Sequence, residues 1–64
     1  MEEIINELKM QRIRQHLSID EVAKRIGTPR SRISEIENGR GGLTLKRMYE
    51  YAEALGLKVT IKFE

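Results

Sequence analysis

Polar and apolar positions change period along this 64-residue chain, and the changes divide it into five elements. From Glu2 to His16, the residues Ile5, Leu8, Ile13 and Leu17 recur at spacings near three, four and five, a rough helical stripe that predicts a helix over 2–16. Acidic residues crowd its start and basic ones its end, which suits the helix dipole. Ser18-Ile19-Asp20-Glu21 fits a capping box, in which the Ser18 hydroxyl and the Glu21 carboxylate each satisfy a free backbone N–H. The helix it opens, over 18–26, carries Val22, Ala23 and Ile26 on one face and stops at Gly27, a residue able to take the left-handed cap conformation. Leu17 and Val22 stand where a hydrophobic staple would pair. A third helix is predicted over 29–37, with Thr28 as N-cap, Pro29 at the first helical position, Ile33 and Ile36 inward, and Asn38-Gly39 as the stop. The fourth, over 45–55, follows Thr44 as its cap and shows Leu45, Met48, Tyr49, Ala52 and Leu55 on one face before Gly56. The period then drops to two. Leu57, Val59, Ile61 and Phe63 alternate with Lys58, Thr60, Lys62 and Glu64, the pattern of a half-buried strand over 57–63.

Length makes this one domain, 1–64, and a marginal one: a chain of this size buries only roughly 60% of the surface its unfolded form exposes. Small domains add disulfides, a metal or a partner chain. With no Cys and one His, disulfides and thiolate metal sites are excluded, and no carboxylate cluster converges on His16, so no metal or cofactor is expected. A partner chain is the remaining supplement. No apolar run approaches the roughly 20 residues that span a bilayer, and the acidic Met1-Glu2-Glu3 start lacks a signal-peptide pattern. A soluble, cytoplasmic protein without a membrane partner is expected. No nucleophile–base pair or phosphate loop is present, which argues against an enzyme.

The net charge of +2 says little, but its distribution changes the picture. Residues 24–47 hold Lys24, Arg25, Arg30, Arg32, Arg40, Lys46 and Arg47 against only Glu35 and Glu37, while both flanking stretches are net acidic. A basic middle third is what phosphate contacts require, although a merely solvated surface has the same composition. On a wheel of about 100° per residue, Ser31, Glu35 and Asn38 fall opposite Ile33. Ser34 lies to one side, and Arg30 and Arg32 flank the face. Arginine can grip guanine with two hydrogen bonds, and Glu35 can accept from cytosine. The helix starts at Ser18 and Thr28 offer backbone N–H groups to phosphates. As an ordinary solvated face, the same residues would make local pairs such as Arg32–Glu35. Context separates the two readings: two short helices joined by a tight glycine-containing turn are a helix-turn-helix unit.

The stretch from Leu17 to Arg40 resembles the Xre type of helix-turn-helix, the family of phage Cro and repressor proteins. The resemblance rests on Leu17-Ser18, Glu21-Val22-Ala23, Gly27, Ile33-Ser34 and Ile36-Glu37-Asn38-Gly39-Arg40, and extends over about residues 8–56. It implies a mainly α, four-helix domain that binds double-stranded DNA. It places Arg30, Ser31 and Glu35 at base edges, with Arg32 on the same turn as a further base contact or a phosphate contact. Asn38 and Arg40, in the loop after the recognition helix, then hold the DNA backbone together with Ser18, Thr28 and Ser34. Arg12 and Glu37 fall where many members form a structural ion pair. Members often carry Gln directly after the cap of the second helix, as a backbone clamp; here that position is Ile19.

A lone strand cannot satisfy its ladder hydrogen bonds within a small helical domain, so pairing with the same strand of a second copy is expected; the alternatives are a strand folded against its own domain or paired with a different protein. Val59, Ile61 and Phe63 would then meet Tyr51 and Leu55 at a homodimer interface. This tail resembles that of antitoxin repressors of the HipB and HigA types. The expected function is a sequence-specific transcriptional repressor acting as a dimer on an inverted repeat. The alternative is an antitoxin that also binds a cognate toxin protein.

Overall fold

The computed structural model describes residues 2–40 and 43–60, which form four helices: α1 (Glu2–Arg14), α2 (Ile19–Ile26), α3 (Arg30–Glu37) and α4 (Leu45–Ala54). No strand occurs among the described residues. α3 packs chiefly on α2, α4 also packs on α2, and α1 reaches α3.

The core is assembled from one stripe of each helix. Leu8, Val22, Ala23, Ile33, Ile36, Met48, Tyr51, Ala52 and Leu55 form a single buried cluster, and Val22, Ile33 and Tyr51 are fully enclosed. On α1 the inward stripe runs Ile5, Leu8, Arg12. Ile13, expected on it, is 47% exposed, because five residues beyond Leu8 is more than a third of a turn off the stripe. Met10 is exposed on the outer face as well. On α4 the spacing i, i+3, i+4, i+7 selects Met48, Tyr51, Ala52 and Leu55. Leu45 and Tyr49, expected inward, are exposed instead, so the tyrosine that fills the core is Tyr51.

All four helices end in the same way. The N–H of Leu17, Thr28, Arg40 and Leu57 reaches back to the carbonyl of Arg12, Ala23, Glu35 and Ala52, respectively. The residue before each donor takes a left-handed conformation: His16 (φ 57°), Gly27 (82°), Gly39 (72°) and Gly56 (72°). This is the Schellman closure, and it needs a positive φ that costs an L-residue but not glycine. The closure ends α1 at Arg14, short of the expected His16. Two long side chains satisfy further carbonyls at the end of α4: Arg25 Nη1 donates to Ala54 O and Gln15 Nε2 to Leu55 O, both at 2.8 Å.

Helix starts follow their caps with one exception. Ser18 Oγ accepts from the Glu21 N–H at 3.1 Å, and Glu21 Oε1 accepts from the Ser18 N–H at 3.2 Å. Thr44 Oγ1 accepts from the Arg47 N–H. At α3 the expected Thr28 cap is not formed. Pro29 is the N-cap, the helix begins at Arg30, and no side chain caps it. Upstream, the Thr28 N–H is drawn into the closure of α2.

After Gly56 the tail keeps its alternation, with Leu57 and Val59 packed on the core cluster and Lys58 and Thr60 exposed. The expected strand partner is not seen among the described residues, and Ile61 and Phe63 lie outside them. Tyr51 and Leu55, expected at a dimer interface, are core residues at 0% and 4% exposure. Val59 packs on its own domain.

His16→Gly removes the only left-handed non-glycine residue among the described positions. It is expected to stabilise the fold by about 0.5–1 kcal/mol, the αL penalty less the entropy glycine adds to the unfolded chain. Thermal denaturation should show a midpoint higher by a few degrees, and an unchanged midpoint would refute the strain.

Candidate nucleic-acid interface

Ile33 and Ile36 fix the rotation of α3, and what remains outside follows from that. Ser31 and Glu35 are exposed on the outer face. Arg30 is exposed beside the start of α2, with Nε 3.4 Å from Asp20 Oδ1; both side chains are more than 60% open to solvent. Such a pair contributes at most about 1 kcal/mol and opens readily. Arg32 lies on the other flank, half-buried.

Arg32 lines a groove of about 310 Å³ between α3 and the start of α4. Thr28, Thr44, Lys46, Arg47 and Glu50 share its walls, over a floor of Ile26, Ile33 and Ile36. Three cations and two hydroxyls against one carboxylate make an anion-favouring cleft. Sequence reasoning missed Lys46 and Arg47. A signal was available: both sit in the first turn of α4, which carries no acidic residue. Cations there oppose the helix dipole. α3 is the same, with Arg30 and Arg32 in its first turn and no acid there. α2 is wired the conventional way, Asp20 and Glu21 first and Lys24 and Arg25 last.

The other positions divide. Ser18 has its N–H and one acceptor committed to the capping box, so only its hydroxyl proton is left to donate. The Thr28 N–H, expected to face a phosphate, is bonded to Ala23 O at 3.0 Å; this position offers its side chain alone. Asn38 folds back on α3, its Nδ2 donating to Ser34 O at 2.8 Å and to Ser34 Oγ at 3.3 Å, so these two form one unit at the helix end. Arg40 is exposed beyond it. Ile19, standing where a clamp residue is common, packs partly buried against the core.

Behind this surface, Arg12 and Glu37 come together across 25 residues. Arg12 Nε donates to Glu37 Oε2 at 2.8 Å and Nη2 to Oε1 at 3.1 Å, a two-bond fork. Arg12 Nη1 donates to Leu17 O at 2.8 Å, and Tyr51 Oη donates to Glu37 Oε2 at 2.5 Å. Sequence reasoning missed Tyr51 here. The hydrogen bond to Glu37 raises the Arg12 pKa against the opposing effect of burial. Burial first, then the hydrogen bond to Glu37, pushes the Tyr51 phenol well above its usual value of 10.0.

Among the described residues no cluster of His, Asp and Glu suits a metal ion, and no helix is long and apolar enough to cross a membrane. Comparison with known families matches residues 8–61 to the family described as helix-turn-helix. Neither the curated proteins nor the solved structures gave a match.

Two outcomes follow from the junction. Arg12→Ala leaves the Glu37 carboxylate, 5% exposed, without its partner and is expected to destabilise by about 3 kcal/mol in urea unfolding. Asp20→Ala, at the open pair, should change stability by less than about 1 kcal/mol. Equal effects would show that the buried pair carries no special weight. The second outcome concerns pH. The unfolded chain ionises Tyr51 near pH 10 while the folded chain resists it, so this contribution is complete below pH 10 and is lost as pH rises beyond it. Between about pH 10 and 12, Tyr51→Phe should lose less stability than the parent, by up to about 1.4 kcal/mol per pH unit. Parallel pH curves would refute it.

Proposed function

The chain belongs to the Xre/Cro-type helix-turn-helix family of DNA-binding transcriptional regulators, and from that premise we propose that it is a sequence-specific repressor acting as a dimer on an inverted repeat. α3 is the recognition helix in this reading. Arg30, Ser31 and Glu35 meet base edges in the major groove, Arg30 leaving its open pair with Asp20 to do so. Arg32 turns from base reading to phosphate gripping, because it shares the α3–α4 groove with Lys46 and Arg47. Ser18, Thr28, Ser34, Asn38 and Arg40 complete the backbone set. A homodimer would set two recognition helices about 34 Å apart, on successive turns of one face of the duplex.

The single observation that carries this reading is the reversed polarity of the two helix starts. The first turns of α3 and α4 hold cations where stability alone favours acids. A strand of phosphates is the partner that turns this arrangement into a gain. An antitoxin role is the alternative, with a cognate toxin as second partner. A stoichiometric second protein, encoded beside this chain and co-purifying with it, would carry that reading.

Selection of bound sequences from a random duplex pool tests the proposal. A symmetric motif with two half-sites is expected. Arg30→Ala should cost about 1–3 kcal/mol and relax one position of the motif, whereas Arg47→Ala should weaken all sequences alike and reduce the salt dependence. Equal affinity for every duplex at moderate salt would sink the claim of specificity.

A further inference from the structure

The base-facing side chains and two of the phosphate-gripping cations sit on different helices. Arg30, Ser31 and Glu35 stand on α3, and Lys46 and Arg47 stand in the first turn of α4. Their spacing depends on how α3 and α4 are held against each other, and the two helices meet mainly through α2, on which both pack. Apolar contacts in the shared core are non-directional and leave room for slip. One directional contact joins the two helices. Tyr51 Oη on α4 donates to Oε2 of Glu37, the last residue of α3, at 2.5 Å. Among the described residues no other hydrogen bond and no ion pair runs between α3 and α4. Neither packing nor charge requires this hydroxyl. A phenylalanine ring would fill the fully enclosed site of Tyr51 and bring no polar group to satisfy. Arg12 already takes both oxygens of Glu37 with its fork.

We propose that Tyr51 is a positioning residue for base discrimination, its hydroxyl tying the end of α3 to α4 so that the base-facing side chains keep register with the phosphate-gripping cations. The inference rests on the DNA reading above and names what holds its two halves together. Tyr51 lies one turn beyond Arg47, along the same side of α4. Glu37 lies at the end of α3 remote from Arg30, just beyond Glu35. α3 is about 12 Å long. A slip of about 1 Å at Glu37 moves the outer side chains by a comparable distance, which exceeds the spread of hydrogen-bond lengths to a base edge, about 2.7–3.2 Å. Phosphate gripping tolerates the same slip, because it follows charge and not a fixed pair of atoms. Loss of the hydroxyl therefore weakens reading and spares gripping. A side chain that served only the core would weaken both together or neither.

Fluorescence anisotropy with the full chain tests this, using one duplex selected from a random pool and one scrambled duplex of equal length. Tyr51→Phe should bind the selected duplex about fivefold more weakly than the parent, the order of one lost hydrogen bond. It should bind the scrambled duplex within about twofold of the parent and with the same salt dependence. Arg30→Ala should cost less in the Tyr51→Phe background than in the parent, because a misplaced α3 has less reading left to lose. Amide hydrogen exchange without DNA gives a second readout. The N–H groups of Asn38, Gly39 and Arg40, bonded at the end of α3 at 2.8–3.1 Å, should exchange faster in Tyr51→Phe, by about fivefold, while those of Gly27 and Thr28 at the end of α2 keep their rates. Circular dichroism checks the fold, and an unfolded Tyr51→Phe overturns the proposal by making the hydroxyl a stability device. Equal losses on both duplexes, unchanged discrimination, additive effects of Arg30→Ala, or unaltered exchange at the end of α3 each overturn it as well. A parent that binds no duplex, or all duplexes alike, sinks the DNA reading itself and this proposal with it. That failure is seen before any substitution is made, so it is told apart from failure of the Tyr51 contact.

Discussion

The position of α3, the proposed recognition helix, depends on one largely enclosed carboxylate, the Glu37 side chain at 5% exposure. Glu37 ends α3, where the dipole disfavours a negative charge, yet it is held inside by Arg12 from α1 and Tyr51 from α4. Arg12 also holds the Leu17 carbonyl at the turn into α2. One junction therefore ties all four helical segments to the same point. Its net worth to stability is modest, because two charges leave water to form it. Its larger consequence is geometric. With Ile33 and Ile36 fixing rotation and Glu37 fixing the far end, α3 has little freedom left, and its outer side chains inherit a defined direction.

Stability and binding pull the helix starts in opposite directions. α2 is built for stability, with a complete capping box, acids first and bases last. α3 has no side-chain cap, and both α3 and α4 open with cations. The cost of that arrangement is a few tenths of a kcal/mol to about 1 kcal/mol for each charge. It falls on the elements that line the basic groove, and the better-capped α2 and the buried core offset it. The domain keeps its strong interactions behind the proposed interface and its weak, open ones, such as Arg30–Asp20, on it.

The small core also explains the shape of the rest. Ten apolar residues are buried, and five large ones remain well exposed among the described positions. Short helices cannot bury both flanks, so the α1–α4 side is left apolar while the α3–α4 side is basic.

Much of this was legible in the sequence. Capping residues, glycine stops and the pair Ile33–Ile36 act within a few neighbours, so the four helices and the outward set Ser31 and Glu35 could be read locally. So could the match to the helix-turn-helix family over most of the chain. Four matters were decided only by tertiary structure. Ile13, Tyr49 and Leu45 look apolar on a wheel, but which side of α1 and α4 is covered depends on the other helices. Thr28 looks like a cap, but its N–H closes α2 and α3 begins one residue later, with Pro29 as its N-cap. Arg32 looks like its neighbour Arg30, but only the approach of α4 puts it beside Lys46 and Arg47. Tyr51 looks like surface under a strand, but its hydroxyl completes the junction at Glu37. Local rules set what each segment can form. The sharing of one N–H, one groove or one carboxylate between segments is a long-range matter that the linear order of residues does not carry.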